Sequence, residues 1–482
     1  MAGIGFELKK LFNTRTASGY MKAYGYSTVI TAGPFALMTG MVLAIQLMFI
    51  GFDVSYVESQ LYTASVIYAF IGSNIIASGF LMVITRYLAD ILYGDEYKDV
   101  AASLYGIVAV TEVVGGVLAI LFFWNKPLDF FTEFLTYIFF MQMLAVWVQG
   151  VYLTAVKNYK GLFFSYLFGI TVTILLTFMF LQTGLLDPVQ GALLAMDIGS
   201  AIIMMMFFVH VVRYFGYPEK GLNFSFLLYF EKYSVLFFIA FLYSLALYVP
   251  NLLIWQGPLA VWTADSYVYA PAYDVATFYG FLSIVPIMVM FVVSMELHFY
   301  EKYAVYFTYI TKKGDFRDID DAKKELLHVL WDELRNILEF QLVFTLIFLA
   351  LGNYFLPRLG MVYYSVDMYN LIVLGAFFTG SMQVIYTLLL YLEDYKGVLF
   401  IVGSFFALNL VLGCIGLKLG ENSYGFTFFL AAAISFLLAL QRLSYFGKHL
   451  NYYVFCSRPV FFREQNGFFS KIVHKLYEKE EF

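Results

Sequence analysis

Long stretches without any charged residue recur along the whole chain, separated by short polar segments. The ten stretches that contain no Asp, Glu, Lys or Arg cover residues 23–52, 59–85, 134–156, 161–186, 233–264, 275–295, 341–357, 368–392, 397–417 and 422–441. A hydrocarbon core about 30 Å thick needs roughly 20 apolar helical residues to cross it. Each stretch therefore predicts one transmembrane helix.

Two further apolar segments, residues 101–124 and 191–212, each carry one acidic residue, Glu112 and Asp197 respectively. They bring the number of predicted spans to twelve. With 62% hydrophobic and only 13% charged residues, the chain has about half the charge usual for a soluble domain. The fold class that follows is an all-α polytopic membrane protein with about 12 transmembrane helices.

The basic residues lie almost entirely on one side of this arrangement. If the N-terminus is placed in the cytoplasm, all but three of the 29 Lys and Arg residues fall in the inner connections. The three on the outer side are Lys126, Arg358 and Lys418. Because cytoplasmic connections carry the excess of basic residues, we predict that both termini are cytoplasmic.

The chain divides into two halves of six spans each. A polar cytoplasmic linker at 215–232 separates a first six-helix bundle, 23–214, from a second, 233–447. An even number of spans gives both halves the same orientation, so a repeat would follow an axis along the membrane normal. A Lys–Tyr–Ser element opens both halves, at Lys22, Tyr26 and Ser27 and again at Lys232, Tyr233 and Ser234.

Both terminal segments are predicted to lie at the inner membrane surface. The N-terminal segment, 1–22, alternates apolar and charged residues from Ile4 to Phe12, which is typical of a short amphipathic helix on the membrane. The C-terminal tail, 448–482, is basic and aromatic. We expect the tail along the inner leaflet or against a partner.

The largest cytoplasmic connection, 298–336, contains a predicted helix over 315–335 with Asp318 or Asp320 as its N-cap. The apolar residues at helical spacing in it are Leu326, Leu327, Leu330 and Leu334. This segment is either a solvated helix that leads into span nine or a docking site for a cytoplasmic partner.

Residue usage argues against several functional classes. The two cysteines, Cys414 and Cys456, and the five scattered histidines show no metal-binding spacing. No phosphate-binding loop or catalytic triad pattern occurs. A membrane-embedded glycan polymerase would need a large outer loop carrying Arg or His, and the predicted outer loops are short and poor in basic residues. We therefore expect no enzymatic activity, no cofactor or metal, and no nucleic-acid partner.

Acidic residues in or beside the spans are the candidates for a transport path. A carboxylate such as Glu112 or Asp197 costs roughly 2.5–3.5 kcal/mol to insert, and it either marks an ion or proton path or is a structural acid. The outer loops carry Asp53, Glu58, Asp129, Glu133, Asp187, Asp265, Asp274, Asp367 and Glu421. Of these, Asp265 and Asp274 are added to the transport-path candidates. The outer acids either complement the positive-inside bias or favour a cationic passenger.

Prolines and aromatic residues supply the remaining candidates. Helix breaks are predicted at Gly33 and Pro34, at Pro250 and at Pro286, because discontinuous helices line transporter cavities. Aromatic residues make up 21% of the chain, and aromatic faces stack on the C–H faces of sugars. The sugar-contact candidates after span seven are Trp255, Trp262, Tyr267, Tyr269 and Tyr273. An interfacial aromatic belt explains the same enrichment.

The opening MAGIGFELKKLF, at 1–12, the element Tyr24-Gly25-Tyr26 and the break at Ala32-Gly33-Pro34 resemble the PelG family, the inner-membrane transporters of the Pel exopolysaccharide system. The sequence TRYLAD at 85–90 is also similar to that family. So is YLEDY at 391–395, although it departs from the aromatic–Asp pairing expected there. The length and span pattern match over essentially the full chain.

The resemblance implies a fold of the polysaccharide-transporter branch of the multidrug/oligosaccharidyl-lipid/polysaccharide exporters. Two six-helix bundles would enclose a central cavity in the bacterial inner membrane. The implied passenger is an N-acetylgalactosamine-rich polymer of the biofilm matrix. Besides membrane lipid, the implied partners are a cytoplasmic glycosyltransferase, a cyclic-di-GMP receptor and a further membrane subunit of the Pel complex.

We therefore expect a non-enzymatic translocator for a Pel-type, amino-sugar-rich exopolysaccharide, with much of its direction supplied by polymer elongation. The alternative is an alternating-access exporter of drugs or lipid-linked oligosaccharides, driven by an ion gradient through Glu112 or Asp197. A scaffold without a transport role is the third interpretation.

Overall fold

A computed structural model describes residues 17–94, 98–217, 223–311, 314–456 and 467–477. Within these ranges, twelve helical segments are long and apolar enough to cross a membrane. Each of them covers one predicted span, which confirms the all-α polytopic class. The predicted amphipathic segment from Ile4 to Phe12 lies outside the described residues.

The first half contributes six long helices joined by short connections. They are α1 (Ala17–Gly51), α2 (Tyr56–Tyr93), α3 (Lys98–Phe123), α4 (Phe130–Ala155), α5 (Tyr159–Thr183) and α6 (Pro188–Phe215). The core among them contains large side chains that are fully buried, such as Tyr62, Phe139 and Phe207.

The second half begins after a short helix in the predicted linker, α7 (Leu227–Lys232). Its long helices are α8 (Ser234–Ile254), α9 (Pro271–Phe281), α10 (Val285–Ser294), α11 (Tyr300–Thr311), α12 (Phe316–Phe355), α13 (Tyr363–Tyr391), α14 (Tyr395–Leu419) and α15 (Phe426–Lys448). Two short helices follow, α16 (Leu450–Phe455) and α17 (Phe468–Tyr477). Span eight consists of α9 and α10.

A two-stranded antiparallel hairpin follows span seven and is the only sheet in the described ranges. Its strands are β1 (Val261–Thr263) and β2 (Tyr267–Tyr269), with Val261 opposite Tyr269. The turn between them places Ala264 and Asp265 at φ 49° and 48°. We refer to residues 260–269 as the outer hairpin.

The predicted helix breaks have different outcomes. α1 continues through Pro34, and α8 continues through Pro250. These two spans are thus not interrupted, since a proline removes only one backbone hydrogen bond and neighbouring groups in a membrane protein can compensate. Span eight is interrupted as an α-helix: a 3₁₀ turn at Leu282–Ile284 separates α9 from α10, and Pro286 lies in the first turn of α10.

The described chain forms two compact units that differ from the two halves of the sequence. The first unit comprises Gly33–Tyr248, Ala260–Tyr269 and α17, and the second contains Val249–Leu259 and the described chain from Ala270 to α16, together with the start of α1. The chain therefore changes unit inside α1 and inside α8. Both changes occur two residues before a proline, Pro34 or Pro250. The bundles at 23–214 and 233–447 stay a prediction.

The turns between spans four and five and between spans ten and eleven have the same conformation. Their sequences are KNYKG from Lys157 and EDYKG from Glu393, and these first residues have φ of 63° and 61°. The next residue, Asn158 or Asp394, accepts a hydrogen bond from the glycine backbone N at 3.0 or 3.1 Å. This shared turn supports an internal repeat more directly than the Lys–Tyr–Ser element does.

The two turns differ in charge. The carboxylate of Asp394 also accepts hydrogen bonds from Nε and Nη2 of Arg442 on α15, at 2.6 and 2.7 Å. The two side chains are only 5% and 25% exposed, respectively. The second half therefore contains a largely buried ion pair at a position where the first half has the neutral Asn158.

The cytoplasmic helix predicted over 315–335 is the beginning of the 40-residue α12, which runs on into span nine. Its N-cap is Asp315, and the backbone N of Asp315 donates to the carboxylate of Asp318 at 3.2 Å. Asp318 and Asp320 are thus not the caps, because the helix starts a turn earlier. Among its apolar residues, Leu326, Leu330 and Leu334 are buried, and Leu327 is partly buried.

Span eight joins α11 through a π-helical turn at Met295–Phe299. Nδ1 of His298 lies 2.8 Å from Oε1 of Glu333 on α12, and Ser294 Oγ donates to Oε2 of the same carboxylate at 2.6 Å. The hydrogen bond to Glu333, together with the charges of Glu333 and Glu301, raises the pKa of His298. The turn is therefore held to α12 by a pair that responds to pH.

Candidate functional site

Asp197 lies inside the first unit on α6. Its side chain is 5% exposed, and neither carboxylate oxygen has a hydrogen-bond partner among the described residues. The preceding residue, Met196, accepts a 3.0 Å hydrogen bond at its sulfur from the hydroxyl of Tyr62 on α2. A buried carboxylate without a partner is costly when it is ionised, so this position suits reversible binding of a proton or a cation.

Close packing of α5 against α6 fixes the position of Asp197. A Cβ at Gly199 would overlap the hydroxyl of Thr173, and it would lie 2.7 Å from the carbonyl oxygen of Gly169. Small residues permit this approach of two backbones, which is a common packing mode of membrane helices. The backbone around Asp197 therefore has little freedom to move relative to α5.

Glu112 has a different environment on α3. Its side chain is partly buried and lies between the buried Thr111 and the exposed Val113 and Val114. Among the described residues, Glu112 has no ion-pair partner, and it is not hydrogen-bonded to Asp197. The two acids predicted as one class are thus an interior carboxylate and a carboxylate at the edge of the exposed face.

Asp274 lies in the second unit, in the first turn of α9, and its carboxylate is fully used in hydrogen bonds. It accepts from Nδ2 of Asn251 at 2.7 Å, from Nε1 of Trp255 at 3.0 and 3.1 Å, and from the backbone N of Ala270 at 2.9 Å. These contacts fasten the end of span seven to the start of span eight. The arrangement is that of a structural acid.

Several of the predicted outer acids lie at the N-termini of helices. Glu58 forms a capping box with Ser55 at the start of α2. Asp129 accepts hydrogen bonds from two backbone N–H groups in the first turn of α4, at 3.1 and 3.3 Å. Asp187 is the N-cap residue of α6, without a side-chain capping hydrogen bond. Helix N-termini favour acidic residues. The excess of outer acids follows in part from where the helices begin and is therefore weaker support for a cationic passenger.

The outer hairpin is docked on the helices of the first unit. Tyr68 on α2 donates its hydroxyl to the carbonyl oxygen of Val268 at 2.6 Å and accepts from the backbone N of Val268 at 3.2 Å. Lys126 Nζ donates to the carbonyl oxygen of Ser266 at 2.7 Å. The buried ring of Tyr267 lies 5.0 Å from that of Tyr68. These contacts hold the hairpin by backbone as well as side-chain groups.

The five sugar-contact candidates separate into two groups. Four of them are buried, with Tyr267 and Tyr269 in the outer hairpin and Trp255 and Tyr273 in the second unit. Trp262 on β1 is 65% exposed. Within this set, Trp262 alone presents an open ring. Asp265 is likewise exposed, in the turn of the hairpin.

The sequence alone did not indicate three residues that organise these sites. Tyr68 and Lys126 hold the outer hairpin from distant positions, and Asn251 completes the hydrogen bonds of Asp274. Lys126 carried the clearest signal, because it is one of three basic residues on the predicted outer side. Tyr68 is one of 40 tyrosines, and nothing in the pattern distinguishes it.

Comparison with known proteins gives one family and one fold. The profile of the PelG family, described as "Putative exopolysaccharide Exporter (EPS-E)", matches residues 1–455. No curated protein matches the sequence.

Among solved structures, the fold is similar to that of MATE transporters. The eukaryotic MATE transporter AtDTX14 is 11% identical, with 95% of this chain and 98% of that chain covered and a TM-score of 0.58. A mutant of the Vibrio cholerae MATE transporter VcmN is 16% identical, with 89% and 100% covered and a TM-score of 0.57. An outward-facing multidrug resistance MATE family transporter of the MOP superfamily is 14% identical, with 88% and 96% covered and a TM-score of 0.55. At these identities the likeness establishes the fold alone.

Proposed function

Since the chain belongs to the PelG family of exopolysaccharide exporters, we propose that it moves an amino-sugar-rich exopolysaccharide of the Pel type across the bacterial inner membrane for the biofilm matrix. The protein is a multi-pass membrane protein that belongs to a family of exopolysaccharide exporters and has the fold of MATE transporters. We further propose that the passenger contains amino sugars, that the membrane is the bacterial inner membrane, and that both termini are cytoplasmic. The observation that carries it is the match of the family over nearly the whole chain, including all twelve spans.

The proposed role is transport without catalysis by this chain. A cytoplasmic glycosyltransferase elongates the polymer, and each added sugar supplies a push in the outward direction. A cyclic-di-GMP receptor and a further membrane subunit complete the proposed complex. The family supports a role in exopolysaccharide export, and the identity of these partners is our proposal.

Trp262 is the residue we propose for sugar contact outside the membrane. Its exposed indole offers a flat apolar face, which suits stacking on the C–H face of a pyranose. The other four candidates are buried in the protein and are proposed to act only by shaping their surroundings. Replacing Trp262 with Ala should slow export, and Trp262→Phe should retain most of it. Equal export by the two variants would refute this role.

Inside-out membrane vesicles that contain the chain with its complex test the main proposal. Radiolabelled UDP-N-acetylgalactosamine is added outside, where the cytoplasmic face is exposed. We expect labelled polymer in the lumen, resistant to an added glycoside hydrolase until detergent opens the vesicles. Without this chain, the polymer should stay outside and be digested. Lumenal polymer that accumulates equally in the absence of the chain would refute the proposal.

An ion-coupled exporter of drugs or lipid-linked oligosaccharides is the second candidate, and Asp197 is the observation that favours it. A carboxylate that is buried without a hydrogen-bond partner is suited to take up and release a proton or a cation during a transport cycle. Glu112 would then act as an accessory acid at the edge of the exposed face.

The same vesicles distinguish the two candidates. The variants Asp197→Asn and Glu112→Gln are compared with Asp53→Asn, which removes an exposed acid between α1 and α2. Loss of lumenal polymer in the first two variants and on addition of a protonophore, with synthesis intact, would establish ion coupling. Unchanged accumulation in all of these conditions would leave elongation as the source of direction and refute coupling through these acids.

A further inference from the structure

The C-terminal helix α17 is docked on α7, the short helix before span seven. The Glu231 carboxylate accepts hydrogen bonds from the backbone N and the hydroxyl of Ser470, at 3.0 and 3.1 Å. The rings of Phe230 and Phe469 lie 6.3 Å apart. A Cβ at Gly467 would overlap the Glu231 carboxylate, so a larger residue there would force this side chain to shift. One face of α17 is therefore held by specific contacts within the first unit.

This docking place lies at the boundary of the membrane-spanning region. α7 is followed directly by span seven, which begins at Ser234. The hydroxyl of Tyr87, near the end of span two, lies 2.7 Å from that of Ser225. At the other end of α17, the Tyr477 hydroxyl accepts from the backbone N of Phe224 at 3.0 Å. α17 is thus held at the level where spans two and seven leave the apolar region.

The opposite face of α17 is exposed and combines basic with apolar side chains. Residues three or four positions apart share a helix face, so Phe468, Lys471 and Lys475 lie together, and Leu476 lies at the side of this face. Phe468 is 72% exposed and Leu476 is 51% exposed. The helix FFSKIVHKLY contains no acidic residue. Together, Phe468, Lys471, Lys475 and Leu476 form a face that we call the α17 patch.

We propose that the α17 patch binds the anionic lipid surface of the adjacent leaflet. Phe468 and Leu476 insert at the boundary between headgroups and acyl chains, and Lys471 and Lys475 bind lipid phosphates. Interfacial helices have this division of basic and apolar side chains, and each basic residue adds attraction to anionic lipids.

Charge and place favour lipid over a protein as the occupant. A face without any acid complements a phosphate surface, and the contacts of α17 with Phe224 and Glu231, just before span seven, bring that surface within reach. The patch also explains why a helix beyond the last span is fastened to α7. A helix held by Glu231 and Gly467 keeps a constant orientation toward the leaflet, and the linker between the two halves is thereby anchored to lipid.

Quenching by lipid tests the placement in the full-length protein. Both free cysteines are replaced, Cys414→Ser and Cys456→Ser, and a bimane fluorophore is attached at Phe468→Cys. The matched control is Phe316→Cys at the start of α12, because Phe316 is 75% exposed and lies 25 positions before the first charge-free residue of span nine. In nanodiscs with phospholipid spin-labelled near the headgroup, we expect strong quenching at position 468 and little at position 316.

A charge reversal tests the anionic component. Raising the fraction of phosphatidylglycerol should increase quenching at position 468, and Lys471→Glu with Lys475→Glu should abolish that increase. The expected weakening of lipid binding is at least about fivefold for each lysine replaced by glutamate, since loss of one basic side chain near an anionic surface already costs on the order of 1 kcal/mol. The exposed Lys418→Glu, on the predicted outer side, serves as the charge control.

Three outcomes would overturn the proposal. Equal quenching at positions 468 and 316 would place the patch in water, and quenching that ignores phosphatidylglycerol would remove the role of the lysines. Cross-linking of position 468 to a second protein in native membranes, without lipid quenching, would assign the patch to a protein partner.

Discussion

Replacing Asp394 with Asn should destabilise the second unit by about 2 kcal/mol. Asparagine preserves the hydrogen bond to the backbone N of Gly397, because Asn158 makes the same bond in the equivalent turn. The loss is therefore confined to the paired hydrogen bonds from Arg442, at 2.6 and 2.7 Å. A hydrogen bond to a charged group contributes about 1.5–3 kcal/mol, and the 5% exposure of Asp394 limits screening by solvent.

The remaining environment of Arg442 moderates this loss. Its guanidinium lies 5.8 Å from the ring of Tyr445 and 5.7 Å from that of Tyr453. A cation above an aromatic face gains about 0.5–1 kcal/mol at an exposed site, so the unpaired guanidinium keeps part of its stabilisation. We therefore expect a value near the middle of the range for one charged hydrogen bond, well above the 0–1 kcal/mol of an exposed pair.

A double-mutant cycle measures the interaction. Thermal unfolding of the purified protein is compared for Asp394→Asn, Arg442→Gln and the double variant, and a unit of roughly 200 residues should lose about 2–4 °C per kcal/mol. Each single variant should then unfold about 4–8 °C earlier, and the double variant little earlier than either one. The control Asn158→Asp introduces a carboxylate into the turn that lacks an arginine, and it should not stabilise. Additive losses in the cycle would refute the assignment of a coupled pair.

Three further outcomes follow from the packing and hydrogen bonds. Gly199→Ala should lower the stability measured by thermal unfolding by about 1–3 kcal/mol, because the new Cβ would overlap α5. The control Gly150→Ala should cost little, because its Cβ would be 4.0 Å from the nearest atom. Equal losses in the two variants would contradict the close approach of α5 and α6. Because Glu333 raises the pKa of His298, stability from this pair is present below about pH 6.5 and is lost as pH rises through the folded-state pKa. His298→Gln should remove this pH dependence from the unfolding free energy measured as a function of pH. An unchanged pH dependence in the variant would refute the contribution of the pair. Tyr68→Phe removes the partner of two backbone groups of Val268 in the outer hairpin, at a cost of about 1–3 kcal/mol. Hydrogen exchange of residues 260–269 should become faster, and that of α2 should not change. Exchange of the hairpin at the same rate in the variant and the original protein would refute the role of Tyr68.

The sequence was sufficient for the twelve spans because the bilayer demands a long apolar segment at each crossing. The positions follow from local composition, and even spans with one acid, such as those of Glu112 and Asp197, are recognisable. The start of α12 was predicted only approximately. The segment from Asp315 contains several aspartates within two turns, and any of them could cap a helix, so the choice of Asp315 depends on the helix geometry itself.

The contacts of the candidate residues could not be read from the sequence, because their partners are distant along the chain. Asp274 looked like an outer acid available to a passenger, but Asn251 and Trp255 use its oxygens. Arg442 looked like one more inner basic residue, although it is paired with Asp394, 48 positions earlier. Local patterns carry information about burial in lipid, and they carry almost none about which polar groups meet inside the protein.

The chain passes from one compact unit to the other inside α1 and inside α8, and this limits how the protein can be divided into two fragments. A cut in the connection after Tyr217 would produce two polypeptides with six spans each. Each product would lack a stretch of helix that belongs to its own compact unit. The N-terminal product would lack Ser234–Tyr248, and the C-terminal product would lack the start of α1. Neither fragment is then expected to be self-sufficient when produced singly, and co-expression is the design that should restore a native pair.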